Sequence, residues 1–349
     1  MPTLAPDRLR TIAADLLEAA GAPRDEAETV ARHCIEANLA GHDSHGIIQI
    51  PTYANRIEKG HIVPGAKFDI VQETATTTVV DAHWGFGYVQ TERAMQMTIE
   101  KAKQQNVAAC TIYRQGHVGR VAAYPLMAAE AGMIGLMTAD SGRAPKQVAP
   151  FGGREARLGT NPISIAVPSD LAGPLFFDLS TAAAAAGKIK LAQARGQHVP
   201  PGWLIGADGA PTTDPSVLGN GGALLPLGGD VGFKGYALSA MVEILSALLT
   251  GLGFGVEPTG RHNDGCFIAC FRVDAFRDLD VFKKDVADFA AYLKSTPPAE
   301  GFSEVFYPGE VEFLRKQERM KTGVEIEDKT WGDLTALADK LGLPALEAA

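Results

Sequence analysis

The sequence predicts a mixed α/β protein, in which a sheet is flanked by helices and the two chain ends add a helical layer. Three observations point there. The first sixty residues carry apolar side chains at helical spacing. From about residue 68, short β-branched and apolar runs alternate with helical patterns, the signature of an α/β layer. The tail from about 310 returns to amphipathic helices. The pattern divides the chain into a helical segment over 1–67, expected to pack with C-terminal helices in 310–349, and an α/β domain over 68–309.

Leu9, Ile12, Leu16 and Leu17 form the first helical stripe, and "GAP" at 21–23 ends it. Val30, Ala31, Cys34, Ile35 and Leu39 line a second helix, with Gly41 suited to a left-handed stop. A third stripe, Ile47, Ile50, Tyr53, Ala54 and Ile57, runs to Gly60. "FDIVQE" and "TTTVVDA" read as paired strands, followed by the helix "QTERAMQMTIEKAKQQ" and the strand "VAACTIY". Next come a helix in "VAAYPLMAAEAG" and strands in "MIGLMTAD", "ISIAVP" and "LFFDLS". "TAAAAAGKIKLAQARG" is helical, whereas 197–233 is rich in turn formers. The helix "KGYALSAMVEILSALLTG", the strand "GCFIACFRV" and a helix near 278–294 complete the domain.

Composition narrows the function. The 349 residues are 46% hydrophobic, enough for a large core, with 32 basic against 41 acidic groups and a net charge of −9. Without a basic run, neither nucleic acid nor an anionic membrane surface is the expected partner. No apolar stretch approaches the roughly 20 residues that span a bilayer; the nearest, "ALSAMVEILSALLTG", is interrupted by Glu243. The N-terminus lacks the continuous apolar segment of a signal peptide. Cys34, Cys110, Cys266 and Cys270 form no C-x-x-C pair, so they read as core residues of a reducing compartment, and the expected location is the cytoplasm.

Several stretches could carry chemistry. "GHDSHGIIQIPTY" puts His42, Asp43, Ser44 and His45 together before an apolar stripe. Histidine exchanges protons near neutrality, Asp43 or Ser44 could cap the following helix, and the two histidines could hold zinc, although no third ligand is evident nearby. "RQGHVGRVAAY" sets His117 between glycines after a strand, at the end where open α/β sheets bind ligands. Arg120 falls in the predicted first helical turn, where the dipole disfavours a cation, which hints at an anionic partner. No G-x-G-x-x-G follows an early strand, so the usual dinucleotide fingerprint is absent. "LLPLGGDVGFKGYAL" instead brings a glycine-rich turn and Lys234 to a helix start, a pattern that can cradle phosphate. In "DLSTAAAAAGK", Asp178 or Ser180 could serve only as a cap.

In their order, "DSHGIIQIPTYANRIEKG", "GHVG", "VAPFGG", "RLGTNPISIAVP", "FDLSTAAAAAGK", "PTTDP", "LLPLGG" with "KGY", and "YPGE" resemble the type 2 malate/L-lactate dehydrogenases over about residues 7–325. That group includes ureidoglycolate and sulfolactate dehydrogenases, a diketogulonate reductase and cyclic-imine reductases. The resemblance implies a non-Rossmann nicotinamide-binding fold and hydride transfer between NAD, or alternatively NADP, and a small 2-hydroxy or 2-oxo carboxylic acid. It also implies a homodimer with the active site near the subunit interface. By position it makes His45 the proton donor and acceptor, Ser44 its orienting neighbour and Asp178 the acid completing a relay. His117 becomes a second active-site histidine, treated as the base in the ureidoglycolate branch, and Tyr53 a substrate-lining residue. Cofactor positions would be Ser141, Asn161, Pro162, Asp178, Leu179, Ser180, Lys234, Gly235, Gly309 and Glu310.

One position departs from the pattern. Where most members carry a carboxylate-clamping arginine, four residues after the histidine, this chain has Gln49. Glutamine cannot form the charged bidentate pair. The substrate anion is then expected on Arg120 or Arg143, or the substrate is atypical. Alternatives are a cyclic-imine reductase of the same family, a metal-dependent hydrolase using His42, Asp43 and His45, and a binding protein of this fold without turnover.

Overall fold

The computed structural model describes residues 1–347 apart from 141, 142, 144, 257–260 and 262. After the short strand β1 (Thr3–Leu4), helix α1 (Pro6–Ala19) starts on a proline, whose missing N–H costs nothing in the first turn. It buries Leu9, Ile12, Leu16 and Leu17. Gly21 turns the chain at φ +103, and α2 (Arg24–Leu39) lays Val30, Cys34, Ile35 and Leu39 against α1. Gly41 ends it at φ +84, with the His42 N–H returned to the Ala37 carbonyl. Two single-turn 3-10 segments, Asp43–His45 and Ile47–Gln49, lead into α3 (Ile50–Glu58).

The α/β part begins with β2 (Asp69–Glu73) and β3 (Thr77–Gly85), an antiparallel pair. Every residue of β2 is exposed, and the strand forms one edge of the sheet. Then follow α4 (Gly87–Gln105), β4 (Val107–Gln115), α5 (Ala123–Glu130), β5 (Met133–Asp140), β6 (Ile163–Val167), β7 (Leu175–Leu179) and α6 (Ala186–Ala194). The turn-rich stretch holds β8 (Leu204–Ile205), β9 (Pro211–Thr212) and β10 (Ala223–Leu224), a small sheet of its own. Helix α7 (Phe233–Glu243) widens into a π turn over Ile244–Leu248, and β11 (Gly265–Arg272) and α8 (Leu279–Lys294) follow.

The main sheet has seven strands in the order β2-β3-β4-β11-β5-β6-β7. Only β3 and β4 run parallel; β11 inserts antiparallel between β4 and β5, with Ile268 opposite both Cys110 and Met137. This is not the parallel doubly wound sheet of Rossmann proteins. The pairings Gly85–Gln115, Gly265–Asp140, Thr138–Ile163 and Ile163–Leu179 put one set of strand ends at a single edge. At that edge β3, β4, β5 and β7 end and β6 and β11 begin. Val80, Met95, Ile112, Tyr124, Met137 and Ile268 fill the core between this sheet and α4 and α5.

The chain closes with α9 (Glu310–Thr322), β12 (Val324–Glu325) and α10 (Asp328–Lys340). β12 pairs with β1, and Val324, Ile326, Leu334 and Ala338 join Leu9, Leu16, Ile35 and Ile50 in one core. Each fully buried Leu or Ile here contributes about 1.5–3 kcal/mol, which holds the two chain ends together. All four cysteines are buried and free.

Candidate active site

The "HDSH" segment is shaped by Asn38, a polar residue buried on the inner face of α2. Its Nδ2 donates to Asp43 Oδ1 at 2.7 Å and its Oδ1 accepts the Ile47 N–H at 2.8 Å. Gly46 passes so close that a Cβ there would lie 2.2 Å from Asn38 Oδ1. The cap expected of Asp43 or Ser44 does not form. Asp43 is instead taken by Asn38 and by the Arg319 guanidinium from α9, at 2.7 and 3.1 Å. Ser44 Oγ is free of backbone duty and lies 3.0 Å from His45 Nδ1. Gln49 Nε2 donates to the Ser44 carbonyl at 2.7 Å, so its amide braces the loop that carries the histidine.

His117 enters on the loop after β4, with its ring stacked on that of His45 at 5.7 Å between centroids and 27° between planes. Its Nδ1 lies 2.8 Å from the Tyr53 hydroxyl, which lies 2.9 Å from the Tyr88 hydroxyl. Tyr53 is 1% exposed, so it supports His117 from below rather than walling a cleft. Gly119 must be glycine: it sits at φ +72, and a Cβ would meet the Tyr88 ring at 2.2 Å.

Arg120 lies ahead of the helix that was expected to include it, because α5 starts only at Ala123. Its guanidinium stacks over Phe176 at 5.1 Å, and its buried Nε has no hydrogen-bond partner. Burial pushes its pKa down, against the charges of Asp178, Glu312 and Glu36. Asp178 spends Oδ2 on the Ala122 N–H at 2.8 Å and acts on its neighbours through charge. Burial also lowers the pKa of His45. Asp178 and Asp264 oppose that shift, and His42 and Arg120 add to it. Asp264, whose Oδ2 accepts the Val118 N–H at 2.9 Å, is a neighbour the sequence did not single out. Asn38, Tyr88 and Glu312 were missed as well. Asn38 alone left a signal, as a polar residue between apolar positions of a buried helix face.

The strand ends bring a second group together. Asn161 adopts φ +41, tolerated by asparagine, and its Nδ2 donates to Ser239 O at 3.0 Å and Glu243 Oε2 at 2.9 Å. Its Oδ1 is buried without a partner. Ser180 Oγ donates to the Thr160 carbonyl at 3.0 Å, and the Leu227 N–H to the Thr181 carbonyl at 2.9 Å. The end of β7, the Thr160–Pro162 turn and the start of α7 therefore form one cluster. Gly235 packs there so tightly that a Cβ would lie 2.1 Å from Leu227 O, while Lys234 beside it is exposed. Beneath them Lys146 Nζ pairs with Glu243 at 2.8 Å and approaches Asp140 at 3.6 Å. Burial pushes the Asp140 carboxyl up to about 8 against the pull of Lys146.

Gly309 and Glu310 open α9 beside β7. Gly309 sits at φ +95 with Pro174 O 2.6 Å from its Cβ position, and Glu310 is held by Lys294 and the Tyr307 N–H. Arg143 donates to the Val256 carbonyl at 3.3 Å, and Ser141 lies outside the described residues. His42 turns to Glu312 at 3.6 Å while Asp43 pairs with Arg319, so His42, Asp43 and His45 do not converge. Among the described residues no three His, Cys, Asp or Glu side chains are grouped to hold a metal ion, and no helix is long and apolar enough to cross a membrane.

Comparison with known proteins bears on the fold and the family. The profile of the malate/L-lactate dehydrogenase family matches residues 4–335. The chain is 37% identical to an L-lactate dehydrogenase of Cupriavidus necator, covering 96% of each. It is 34% identical to a malate dehydrogenase of Pyrococcus abyssi, covering 98% of this chain and 95% of that one. The solved malate dehydrogenase of Entamoeba histolytica superposes with a TM-score of 0.94 at 34% identity over 99% of both chains. A delta1-piperideine-2-carboxylate reductase of Pseudomonas syringae superposes with a TM-score of 0.85 at 29% identity, over 97% of this chain and 100% of that one.

Proposed function

The chain belongs to the malate/L-lactate dehydrogenase family, and on that premise we propose that it transfers hydride between a nicotinamide dinucleotide and a 2-hydroxy or 2-oxo carboxylic acid. The observation that carries the reading is the stacked pair His45 and His117 beside the half-buried cation Arg120. It offers two proton-bearing rings and a positive charge at the edge where the strands end.

The residues at the second cluster fit a dinucleotide. The α7 start offers free backbone N–H groups and the Lys234 charge to a phosphate. Gly235 seats the start of α7 directly on the Leu227 backbone, and Asn161 Oδ1 is a buried acceptor without a donor. Bound there, the nicotinamide supplies the hydride chemistry. In the reducing direction His45 gives a proton to the substrate oxygen, and in the oxidising direction it takes that proton back. Ser44 holds the His45 ring through Nδ1. Arg120 attracts the carboxylate, a task that Gln49, tied to the Ser44 carbonyl, does not perform with charge. We take the cofactor as NAD and the working form as a homodimer. Pairing of two copies would cover the exposed Met241, Ile244, Leu248 and Leu249 on one flank of α7 and its continuation.

A second reading, reduction of a cyclic 2-imino acid, rests on the neutral Gln49 and on the likeness to the piperideine carboxylate reductase. The deciding experiment is oxidation of NADH and of NADPH by purified protein against a panel of 2-oxo acids and cyclic imino acids. Turnover with an oxo acid supports the first reading and turnover confined to imines the second. Absence of both cofactor binding and turnover would falsify the dehydrogenase assignment.

A further inference from the structure

Arg120 sits in a crook where β7 and α9 meet the loop after β4. Phe176 and Asp178 lie two apart on β7 and so share a face. The guanidinium stacks over the Phe176 ring at 5.1 Å, and Asp178 accepts the N–H of Ala122, close along the chain, at 2.8 Å. The start of α9 packs on the same phenylalanine. The Phe176 N–H donates to the Pro308 carbonyl at 3.2 Å, and a Cβ on Gly309 would meet the Phe176 ring at 2.7 Å. Glu312 belongs to that first turn of α9, where His42 Nε2 lies 3.6 Å from its Oε1.

The charges in this crook do not cancel. Asp178, Glu312 and Glu36 act on Arg120 through charge and not through a hydrogen bond, and its buried Nε has no partner. Glu36 is already neutralised by Arg10 at 3.0 Å and Lys316 at 2.5 Å. Asp178 instead spends Oδ2 on a backbone N–H, and Glu312 has the imidazole of His42. Contact with His42 and the charge of Arg120 hold the Glu312 carboxyl below the ordinary range against its burial, so it is an anion at neutral pH. A guanidinium without a direct pair takes one carboxylate well. A second anionic group on the same small molecule would then stand near Asp178 and Glu312 with Arg120 already engaged. Like charges a few ångströms apart in a partly screened site weaken binding by roughly tenfold or more.

We infer that Glu312 is a specificity-determining residue which, with Asp178, restricts the site to monoanionic 2-oxo and 2-hydroxy acids and turns diacids away. The inference rests on the dehydrogenase reading for the class of substrate and narrows that class by charge. One carboxylate goes to Arg120. The chain beyond C2 is then uncharged, or carries a hydroxyl, amide or ammonium group that gains an acceptor in Glu312. A terminal carboxylate or sulfonate meets repulsion there instead.

The test is isothermal titration calorimetry of the full-length protein, alone and saturated with NAD, against 2-oxovalerate and 2-oxoglutarate. The two acids match in chain length and differ by one carboxylate. An oxo acid with oxidised cofactor transfers no hydride, so binding is read by itself. 2-Oxovalerate should bind more tightly by roughly tenfold or more. Glu312→Gln removes the charge while leaving His42 a polar neighbour, and it should shrink that ratio by tightening 2-oxoglutarate. Arg120→Gln should weaken both acids, which shows that they share one cation. Equal or tighter binding of 2-oxoglutarate by the wild type overturns the inference. So does an unchanged ratio in Glu312→Gln, or binding of neither acid. The expected ratio without turnover of any oxo acid or imine sinks the dehydrogenase reading alone, because calorimetry needs no reaction.

Discussion

The His45 ring stacks on the His117 ring at 5.7 Å, although one follows helix α2 and the other strand β4. The two meet because the helical layer at the chain ends lies against the sheet edge where the strand ends gather. Their supports differ, a lone exposed serine for one and a buried tyrosine chain for the other.

Replacing His45 by Gln removes the exchanging proton while keeping a polar side chain. Turnover should fall by about two to four orders of magnitude, with cofactor affinity, measured by fluorescence titration, nearly intact. Wild-type turnover in this variant would move the proton-exchange role elsewhere.

The pH dependence follows from burial. Burial disfavours the His45 imidazolium, so its pKa lies below the ordinary histidine value of about 6.5. Oxidation needs neutral His45, so its kcat/KM should rise with pH through that lowered pKa and then level off. Reduction needs the protonated ring, so its kcat/KM should fall over the same interval. His45→Gln should erase both limbs. Profiles in the two directions at matched ionic strength check this, and limbs centred above the ordinary value would contradict it.

Gln49 is tied to the Ser44 carbonyl and carries no charge. Gln49→Arg should add a charge-assisted pair to a substrate carboxylate, about 1.5–3 kcal/mol. That corresponds to a KM for simple 2-oxo acids lower by roughly tenfold or more. Steady-state kinetics decide, and an unchanged or higher KM would mean that position 49 does not face the carboxylate.

Asn38 holds the loop that carries His45 from inside α2. Asn38→Ala strands the buried Ile47 N–H and leaves Asp43 to Arg319 alone, at a cost of about 1–3 kcal/mol. The denaturant midpoint should drop and kcat should fall with it. Gly46→Ala, which drives a Cβ into Asn38, should do the same through sterics. Full stability in both variants would show that the loop is held by other contacts.

Much of the fold was legible because it rests on local periodicity. The stripes of α1 and α2, the strand runs of β4 and β11 and the glycine stops at 21 and 41 stand where spacing put them. His45 and His117, singled out by residue type and position, are brought together in the fold. Roles that depend on a distant partner were not. Asp43 reads as a cap until Arg319 and Asn38 claim it. The resemblance implied a cofactor role for Glu310, yet its carboxylate is engaged by Lys294 and the Tyr307 N–H.

By itself, then, the sequence determined most of the longer helices and strands, the family and the residue types available for proton exchange, because each is written in short-range spacing or motif order. The tertiary structure alone decided that β11 slots between β4 and β5 and that the strand ends share an edge. It alone lined up Cys34, Tyr88 and Tyr53 behind His117. Strand order comes from the best burial available to the whole chain, and the meeting of His45 with His117 from which surfaces pack together; neither is a property of any one stretch of residues.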